Sequence, residues 1–261
     1  MKTVLLCGGY GTRIRDVADD IPKPMIPIGG MPILWHIMKY YAHFNFCDFV
    51  LCLGYRGKSI KDFFLDYDRH RGDVTFTLGN VKSAVYHNSH AEEDWRVTLA
   101  DTGLNAMTGT RIQRIHRYVA DEENFFLTYG DGVGDVDLNA LLAFHKKHGR
   151  VLTVTGVRPP GRFGELDTDE YGAVTEFNEK PQASGGLISG GFFVCRRELF
   201  HYLDDREDLV FEQEPMHRLV ADNQLMVYRH EGFWQPMDTY RDYSLLNGMV
   251  AKKEAPWLVW E

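Results

Sequence analysis

Near its beginning the chain reads Leu5-Leu6-Cys7-Gly8-Gly9-Tyr10-Gly11-Thr12-Arg13, and Lys23-Pro24-Met25 follows ten residues after Arg13. The short apolar run from Thr3 to Cys7 is followed at once by glycines, which predicts a buried parallel strand that ends in a tight loop. Glycines let the backbone approach a ligand closely, and successive amides in such a loop can converge on an anion. Arg13 and Lys23 add positive charge that suits phosphate oxygens. The stretch predicts a polyphosphate site; the alternative is a plain turn in which Arg13 and Lys23 are solvated.

Two common glycine motifs do not fit this stretch. Ile14 occupies the position where G-x-G-x-x-G requires its third glycine, and no segment matches the G-x-x-x-x-G-K-[ST] pattern. A dinucleotide-binding turn and a Walker-type phosphate loop are therefore both excluded.

Hydrophobic periodicity predicts alternating strands and helices after this loop. The apolar residues Leu34, Ile37, Met38 and Tyr41 share one face of a helix that begins near Pro32. Further segments with the spacing of a strand or a helix are Asp48 to Leu53, Ser59 to Tyr67, Phe125 to Thr128, Leu138 to His148, Val151 to Val157, Ile188 to Val194 and Tyr240 to Val250. This order predicts an α/β fold, a Rossmann-like mixed, mostly parallel sheet with helices on both faces, in which ligands bind beyond the carboxyl ends of the strands.

The composition is that of an ordinary globular protein, with 261 residues, 44% hydrophobic residues and a net charge of −8. This charge argues against nucleic acid as a partner, but not against a nucleotide bound through a local field. We expect no signal peptide and no membrane span. The four cysteines show no metal-ligand spacing and indicate reduced thiols in the cytoplasm. The apolar tail from Pro256 to Trp260 predicts surface to be covered, for example by another subunit.

Two acidic segments follow the predicted strand at Phe125 to Thr128. Asp131, in Tyr129-Gly130-Asp131-Gly132, is a candidate ligand of Mg²⁺, and a tight Asp-Gly turn is the alternative. Asp135-Val136-Asp137 resembles the D-x-D triplet of metal-dependent glycosyltransferases. Asp135 and Asp137 also favour the start of a helix, because acidic side chains cap and stabilise helix N-termini.

Two polar segments can each be interpreted either as an ordinary connection or as part of a binding site. The loop from Asp101 to Arg111 precedes a helical pattern, so it is either a connection that caps a helix or a base-recognition loop at its N-terminus. Glu179-Lys180-Pro181 by itself indicates a solvated pair before a proline turn.

The pattern G-G-x-G-T-R followed by K-P-M resembles the sugar-1-phosphate nucleotidyltransferases. The short gap between Arg13 and Lys23 is more similar to the glucose-1-phosphate cytidylyltransferase branch than to the thymidylyltransferases. The resemblance continues through nearly the whole chain, in D-T-G and M-T-G from Asp101, G-D-G at Asp131, P-G-R-F-G, E-K-P, E-Q-E-P and F-W-Q-P-M-D-T. It departs from the branch at Ala106, where a serine is expected, and at Cys7, where alanine is usual.

The resemblance implies a nucleotide-diphospho-sugar transferase fold and a set of site residues. The implied catalytic residues are Arg13, Lys23 and Asp131. Nucleotide contacts are implied for Leu6, Gly8, Gly9, Tyr10, Gly11, Thr12, Arg13, Lys23, Ala106, Arg111 and Gly130. Sugar-phosphate contacts are implied for Gly164, Glu179, Lys180, Gly190 and Trp234. The implied ligands of Mg²⁺ are Asp131 and Asp238.

We expect a single nucleotidyltransferase domain over 1–261, with a nucleotide part at about 1–135, a sugar-phosphate part at about 136–240 and a C-terminal helix and tail at 241–261. The resemblance implies transfer from CTP to α-D-glucose 1-phosphate, giving CDP-glucose and pyrophosphate, by a homo-oligomer that serves polysaccharide biosynthesis. Ala106 and Cys7 keep open the same chemistry on another sugar 1-phosphate or phosphorylated small molecule. A D-x-D glycosyltransferase and a non-catalytic nucleotide-binding regulator are the remaining alternatives.

Overall fold

The computed structural model describes residues 1–9, 21–87, 90–158, 165–168, 174–178 and 186–260. Its central sheet has seven strands. In order across the sheet they are β14 (Leu225–His230), β10 (Leu152–Val157), β13 (Ile188–Arg196), β8 (Asn124–Tyr129), β1 (Lys2–Leu6), β4 (Asp48–Leu53) and β7 (Arg96–Asp101). Strand β13 runs antiparallel to both of its neighbours, and every other adjacent pair is parallel. The predicted mixed, mostly parallel sheet is confirmed.

Helices and short hairpins surround this sheet. The helices are α1 (Ile33–His43), α2 (Gly57–Leu65), α3 (Tyr67–Arg71), α4 (Thr108–Arg114), α5 (His116–Val119), α6 (Leu138–His148), α7 (Glu214–Ala221) and α8 (Tyr240–Ala251), with 3-10 turns at Lys23–Met25 and Arg197–Tyr202. The paired short strands are β2 (Pro27–Ile28) with β3 (Met31–Pro32), β5 (Val74–Thr77) with β6 (Asn80–Tyr86), β11 (Glu165–Thr168) with β12 (Val174–Asn178), and β9 (Gly132–Gly134) with β15 (Trp234–Pro236). Within the described ranges, no helix is both long and apolar enough to cross a bilayer.

Both faces of the sheet are buried. Successive side chains of a strand point to opposite faces, so each strand contributes to two apolar clusters. In β1, Leu5 packs in one apolar cluster, whereas Val4 and Leu6 pack in the other. The first cluster includes residues of α1, α2, α6 and α8, and the second includes residues of α4, α5 and α7. The continuous apolar runs of the sequence are therefore strands covered by helices on both sides, as parallel strands require.

The apolar tail packs against its own chain. Trp257 is fully buried, stacks on Phe233 with ring centroids 5.5 Å apart, and donates a 3.4 Å hydrogen bond from Nε1 to Nδ1 of His36. Trp260 makes an edge contact with Trp35 of α1. The expectation that this tail leaves its apolar surface for another subunit is wrong for Trp257, because α1 and Phe233 already cover it.

Candidate active site

The carboxyl ends of four parallel strands, β1, β4, β7 and β8, lie along one edge of the sheet. Gly8 and Gly9 follow β1 at this edge, and Gly130 and Asp131 follow β8. The amide of Gly130 donates a 3.1 Å hydrogen bond to the carbonyl of Leu6, so the two segments start side by side. Gly8 and Gly9 of the predicted phosphate loop and the predicted metal aspartate Asp131 are therefore neighbours at the edge where such sheets bind ligands.

A cavity of about 440 Å³ opens at this edge. Among the predicted site residues, it is lined by Leu6, Gly8, Gly9, Lys23, Ala106, Arg111, Asp131 and Asp238. A second cavity of about 250 Å³ is lined by the predicted sugar-side residues Gly190 and Trp234 and also by Asp131 and Asp238. Gly130 is described but lines neither cavity. The other predicted residues, Tyr10, Gly11, Thr12, Arg13, Gly164, Glu179 and Lys180, lie outside the described residues, so their roles stay predictions.

Lys23 lines the larger cavity and contacts both predicted metal ligands, each of which lines both cavities. Its Nζ donates a 2.6 Å hydrogen bond to Oδ2 of Asp131 and a 2.5 Å hydrogen bond to Oδ1 of Asp238. The Lys23 side chain is 11% exposed, whereas the two carboxylates are about one third exposed, at 32% and 31%. The ammonium is thus sheltered, and the carboxylates present their free sides to the cavities.

The pairing of β9 with β15 explains how Asp131 and Asp238 meet despite their separation in sequence. Strand β9 begins directly after Asp131, and β15 ends two residues before Asp238. The amide of Met237 donates a 2.8 Å hydrogen bond to the carbonyl of Asp131, which fixes the two chain segments against each other. This short antiparallel pair was not predicted, because runs of three residues carry no periodic signal.

Burial acts to lower the pKa of Lys23, but the charges and hydrogen bonds of Asp131 and Asp238 outweigh it and raise that pKa above its usual value. The amine is therefore a cation at neutral pH. Two carboxylates that converge on one cation also fit a divalent metal ion, because Mg²⁺ is commonly bound by one or two carboxylates plus phosphates and water. Among the described side chains, no group of three or more His, Cys, Asp or Glu could hold a metal ion as a closed cage.

Arg111 is a buried cation that binds mainly the backbone. Its Nη1 donates to the carbonyl of Leu53 at 3.0 Å, to Oγ1 of Thr102 at 2.9 Å and to the carbonyl of Gly103 at 2.8 Å. Its Nη2 donates to the carbonyl of Gly8 at 3.1 Å. Arg111 therefore joins the start of the phosphate loop to the loops that follow β4 and β7.

Two glycines provide the space that this guanidinium occupies. A Cβ placed on Gly8 would lie 2.3 Å from Cζ of Arg111, and one on Gly54 would lie 2.4 Å from its Nη1. Both distances are far below van der Waals contact. The missing side chain at Gly8 therefore makes room for Arg111, a use that the sequence alone did not reveal.

The predicted base-recognition loop forms one wall of the larger cavity through Asn105, Ala106, Met107 and Thr108. Ala106 is buried, with 3% of its surface exposed. The amide of Gly109, in the first turn of α4, donates a 2.9 Å hydrogen bond to the carbonyl of Leu209. The N-cap residue of α4 makes no side-chain hydrogen bond to the helix. A segment distant in sequence therefore supplies an acceptor for a backbone amide at this helix start.

Val210 and Glu212 also line this cavity, and sequence reasoning assigned them no role. The signal that could have found Glu212 was present in the segment Glu212-Gln213-Glu214-Pro215, which was noted only as part of the resemblance.

Trp234 and Phe233 have different surroundings. Trp234 lines the smaller cavity and donates a 2.7 Å hydrogen bond from Nε1 to the carbonyl of Gly190, whereas Phe233 lines neither cavity and stacks on Trp257. This contact fixes the predicted sugar-side glycine against the strand that leads to Asp238.

The D-x-D triplet does not line either cavity. Asp137 is the N-cap of α6 and accepts a 2.9 Å hydrogen bond from the amide of Ala140. Asp135 lies 2.9 Å from Nε2 of His230. The expectation that these residues serve the start of a helix is confirmed for Asp137, whereas Asp135 contacts His230 instead.

Cys7 lines the larger cavity, but its thiol is poorly suited to catalysis. Burial raises its pKa well above the ordinary value, and the nearby Cys52 and Asp131 add to this effect. A thiol that remains protonated is a weak nucleophile. Cys7, Cys52 and Cys195 are buried and unpaired by disulfides.

A sequence model of the nucleotidyl transferase family matches residues 2–252. The mostly parallel sheet, with a cavity at the carboxyl ends of its strands, and the contacts of Lys23 with Asp131 and Asp238 agree with this class. The chain therefore belongs to the nucleotidyl transferase family, whose members typically use a divalent metal ion and take a nucleoside triphosphate and a sugar 1-phosphate as substrates.

Two relatives place the chain within this class. A glucose-1-phosphate cytidylyltransferase of Salmonella typhi is 48% identical over 261 residues, with 100% of both chains covered. A probable glucose-1-phosphate cytidylyltransferase of Bacillus subtilis (strain 168) is 42% identical over 260 residues, again with 100% of both chains covered. Identity at this level over the full length shows that the branch is that of the glucose-1-phosphate cytidylyltransferases.

A solved structure supports the fold independently. HddC from Yersinia pseudotuberculosis, complexed with GMP-PN, superimposes with a TM-score of 0.65 over 95% of this chain and 99% of its own. Its sequence identity is 21%, so the likeness extends to the fold alone.

Proposed function

We propose that the protein transfers the cytidylyl group of CTP to α-D-glucose 1-phosphate, giving CDP-glucose and pyrophosphate. The observation that carries this proposal is the placement of Lys23 between Asp131 and Asp238, each of which lines both the nucleotide-side cavity and the sugar-side cavity. A reaction that joins two phosphates needs positive charge at such a place.

The chemistry follows from the charges of the reactants. An oxygen of the sugar phosphate attacks the α-phosphorus, the bond from that phosphorus to the bridging oxygen breaks, and pyrophosphate leaves with the electron pair. The attacking oxygen is already anionic, so no general base is needed. The main obstacle is repulsion between two anions, which fixed positive charge and alignment of the reactants reduce.

Each site residue has a role in this scheme. The backbone from Gly8 to Thr12 and Arg13 hold the β- and γ-phosphates, and Arg111 and Ala106 belong to the nucleotide side. Lys23 stabilises the charge that develops around the α-phosphorus. Contacts to the acceptor come from Lys180 and Glu179, together with Gly164, Gly190 and Trp234. Asp131 and Asp238 would hold Mg²⁺, which when bound would supply positive charge that offsets the negative charge of the phosphates.

A substrate panel tests this proposal by measuring pyrophosphate release with Mg²⁺. We expect release that depends on both CTP and glucose 1-phosphate, and much less with UTP, dTTP or galactose 1-phosphate. Pyrophosphate release with CTP and a different acceptor, but not with glucose 1-phosphate, would support nucleotidyl transfer and contradict glucose 1-phosphate as the acceptor.

Two variants separate nucleotidyl transfer from the D-x-D alternative in the same assay. Asp131→Asn should lose activity by roughly 10²-fold or more, because a charge that organises the reacting phosphates is removed. Asp137→Asn should keep activity, since asparagine caps a helix about as well as aspartate does. Full activity of Asp131→Asn would contradict the proposal, and a wild type that releases no pyrophosphate would favour the glycosyltransferase reading, because glycosyl transfer expels a nucleotide instead.

We also propose that the protein is a cytoplasmic homo-oligomer. Its buried cysteines are free, as expected in a reducing compartment. The hairpin of β5 and β6 supports self-association, because Phe76, Leu78, Val85 and Tyr86 are 46%, 86%, 54% and 41% exposed. Apolar side chains clustered in this way often mark an interface between proteins.

Light scattering after gel filtration tests the oligomer. We expect a mass that is a multiple of 30.0 kDa for the wild type and a lower mass for Leu78→Asp. Leu65→Asp is the matched control, because Leu65 is 76% exposed but lies outside the hairpin. A wild type that stays at 30.0 kDa at all concentrations would contradict the proposal.

A further inference from the structure

Glu212 connects two walls of the larger cavity that come from distant parts of the chain. Its Oε2 accepts a 2.7 Å hydrogen bond from Oγ1 of Thr108, and its Oε1 accepts one from the hydroxyl of Tyr129. Thr108 lies 104 residues and Tyr129 lies 83 residues away in sequence, and all three side chains line the cavity. The carboxylate thus bridges the base-side loop and the end of β8.

The Thr108 side of this bridge holds the base-side wall in place. Oγ1 of Thr108 accepts a 2.9 Å hydrogen bond from the amide of Phe211, and the amide of Met107 donates a 2.8 Å hydrogen bond to the carbonyl of Glu207. The segment that carries Glu212 therefore runs across the start of α4 and fixes the loop containing Ala106. Movement of this segment would move that wall.

The Tyr129 side of the bridge leads to the reacting phosphates. Tyr129 is the last residue of β8 and is followed by Gly130 and Asp131. Its ring lies against the backbone of Gly191, where a Cβ would be only 2.4 Å from the ring. Tyr129 also lines the smaller, sugar-side cavity. Its position therefore affects both the carboxylate of Asp131 and the sugar side.

The hydroxyl of Tyr129 donates directly to a carboxylate oxygen of Glu212. A protonated phenol facing a carboxylate forms a charge-assisted bond, which is stronger than a neutral one.

We propose that Glu212 is a positioning residue, which sets the separation between the nucleotide wall at Thr108 and the strand end that carries Asp131. This inference rests on the proposed nucleotidyl transfer. Glu212 is solvent-exposed, so its two bonds add little to the stability of the fold. Their consequence is geometric, because a displacement of about 1 Å at a reacting centre can cost about 10²-fold in rate.

Two variants that weaken the same bridge test this role, because Tyr129→Phe removes a donor and Glu212→Gln leaves one acceptor oxygen for two hydroxyl donors. Tyr129→Phe and Glu212→Gln should each lower kcat/KM by roughly 10- to 100-fold, with KM for CTP raised and kcat reduced. The melting temperature of Glu212→Gln should stay within about 2 °C of the wild type, as for other surface substitutions, and that of Tyr129→Phe should stay close to it because phenylalanine keeps the packed ring. The double variant should lose no more than the worse single variant, because both changes weaken the same bridge.

Matched controls exist elsewhere on the surface. Tyr202→Phe removes a similar bond, the 2.9 Å contact from the Tyr202 hydroxyl to Oδ2 of Asp222, at a place outside both cavities. Glu214→Gln removes an exposed carboxylate two residues from Glu212 that pairs with Arg206. Both controls should keep wild-type kinetics.

Full activity of both test variants would overturn the proposal. Loss in Glu212→Gln with full activity in Tyr129→Phe would also overturn it, because Glu212 would then act by touching the nucleotide. The wild type is measured in the same assay. An inactive wild type would overturn the proposed nucleotidyl transfer, whereas an active wild type with active variants would overturn only the positioning role of Glu212. Calorimetric CTP binding then tests the bridge without turnover, and unchanged affinity in both variants would overturn it.

Discussion

Lys23→Ala is expected to lower kcat by roughly 10²- to 10³-fold while leaving the fold intact. The loss follows from the position of the ammonium, which bridges Asp131 and Asp238, each of which lines both cavities. Its positive charge would stabilise the transition state, in which negative charge builds around the α-phosphorus, more than the bound substrates. Removal of the charge should therefore affect kcat more than KM. Steady-state kinetics at saturating CTP and glucose 1-phosphate measure this split.

Lys58→Ala is the matched control, because the Lys58 side chain is 86% exposed and pairs with Asp62 within one helix. It should keep wild-type kinetics and stability. Near-normal turnover by Lys23→Ala, together with an unchanged circular dichroism spectrum, would rule out the catalytic role of Lys23.

A second readout of Lys23→Ala does not depend on activity. In the wild type the ammonium offsets the charge of Asp131 and Asp238, whereas in the variant the two carboxylates repel each other. Added Mg²⁺ should therefore raise the melting temperature of the variant more than that of the wild type. An equal shift in both proteins would show that Lys23 does not compete with a divalent cation for these carboxylates.

The sequence predicted much of the fold because most of its elements have strong periodic signals. The strand at Asp48 to Leu53 and the helix at Leu138 to His148 have the predicted bounds. Other parts had no such signal. The pairing of β9 with β15 involves three residues on each side, and the burial of Trp257 depends on contacts between the chain's end and α1. Long-range contacts of this kind leave no local pattern.

The same distinction holds for the candidate site. Lys23, Asp131 and Asp238 could be predicted from motifs, and the structure brings them together. The bond between Glu212 and Tyr129 could not, because a single carboxylate in an exposed segment has no pattern that reveals a partner 83 residues away. The candidate site is formed by contacts between segments that are distant in sequence, whereas motifs and periodicity are patterns within one segment.

Arg111→Ala is expected to destabilise the protein by about 3–5 kcal/mol, because several buried carbonyl groups lose their hydrogen-bond donors at once. The acceptors left without this donor include the carbonyls of Gly8, Leu53 and Gly103. For a chain of this size the melting temperature should fall on the order of 10 °C. Arg111→Lys should recover only part of the loss, since one ammonium cannot span acceptors that a planar guanidinium reaches on two sides.

Thermal unfolding and CTP binding, measured on the same samples, test the role of Arg111. Arg117→Ala is the matched control, since Arg117 is exposed on the neighbouring helix α5, and its change should stay within about 0.5 kcal/mol. CTP affinity should fall together with stability in Arg111→Ala, because the guanidinium holds the start of the phosphate loop against the loops after β4 and β7. Loss of CTP binding with an unchanged melting temperature would contradict this account. It would mean that Arg111 contributes by contacting the nucleotide and that its bonds to the backbone carbonyls add little to the fold.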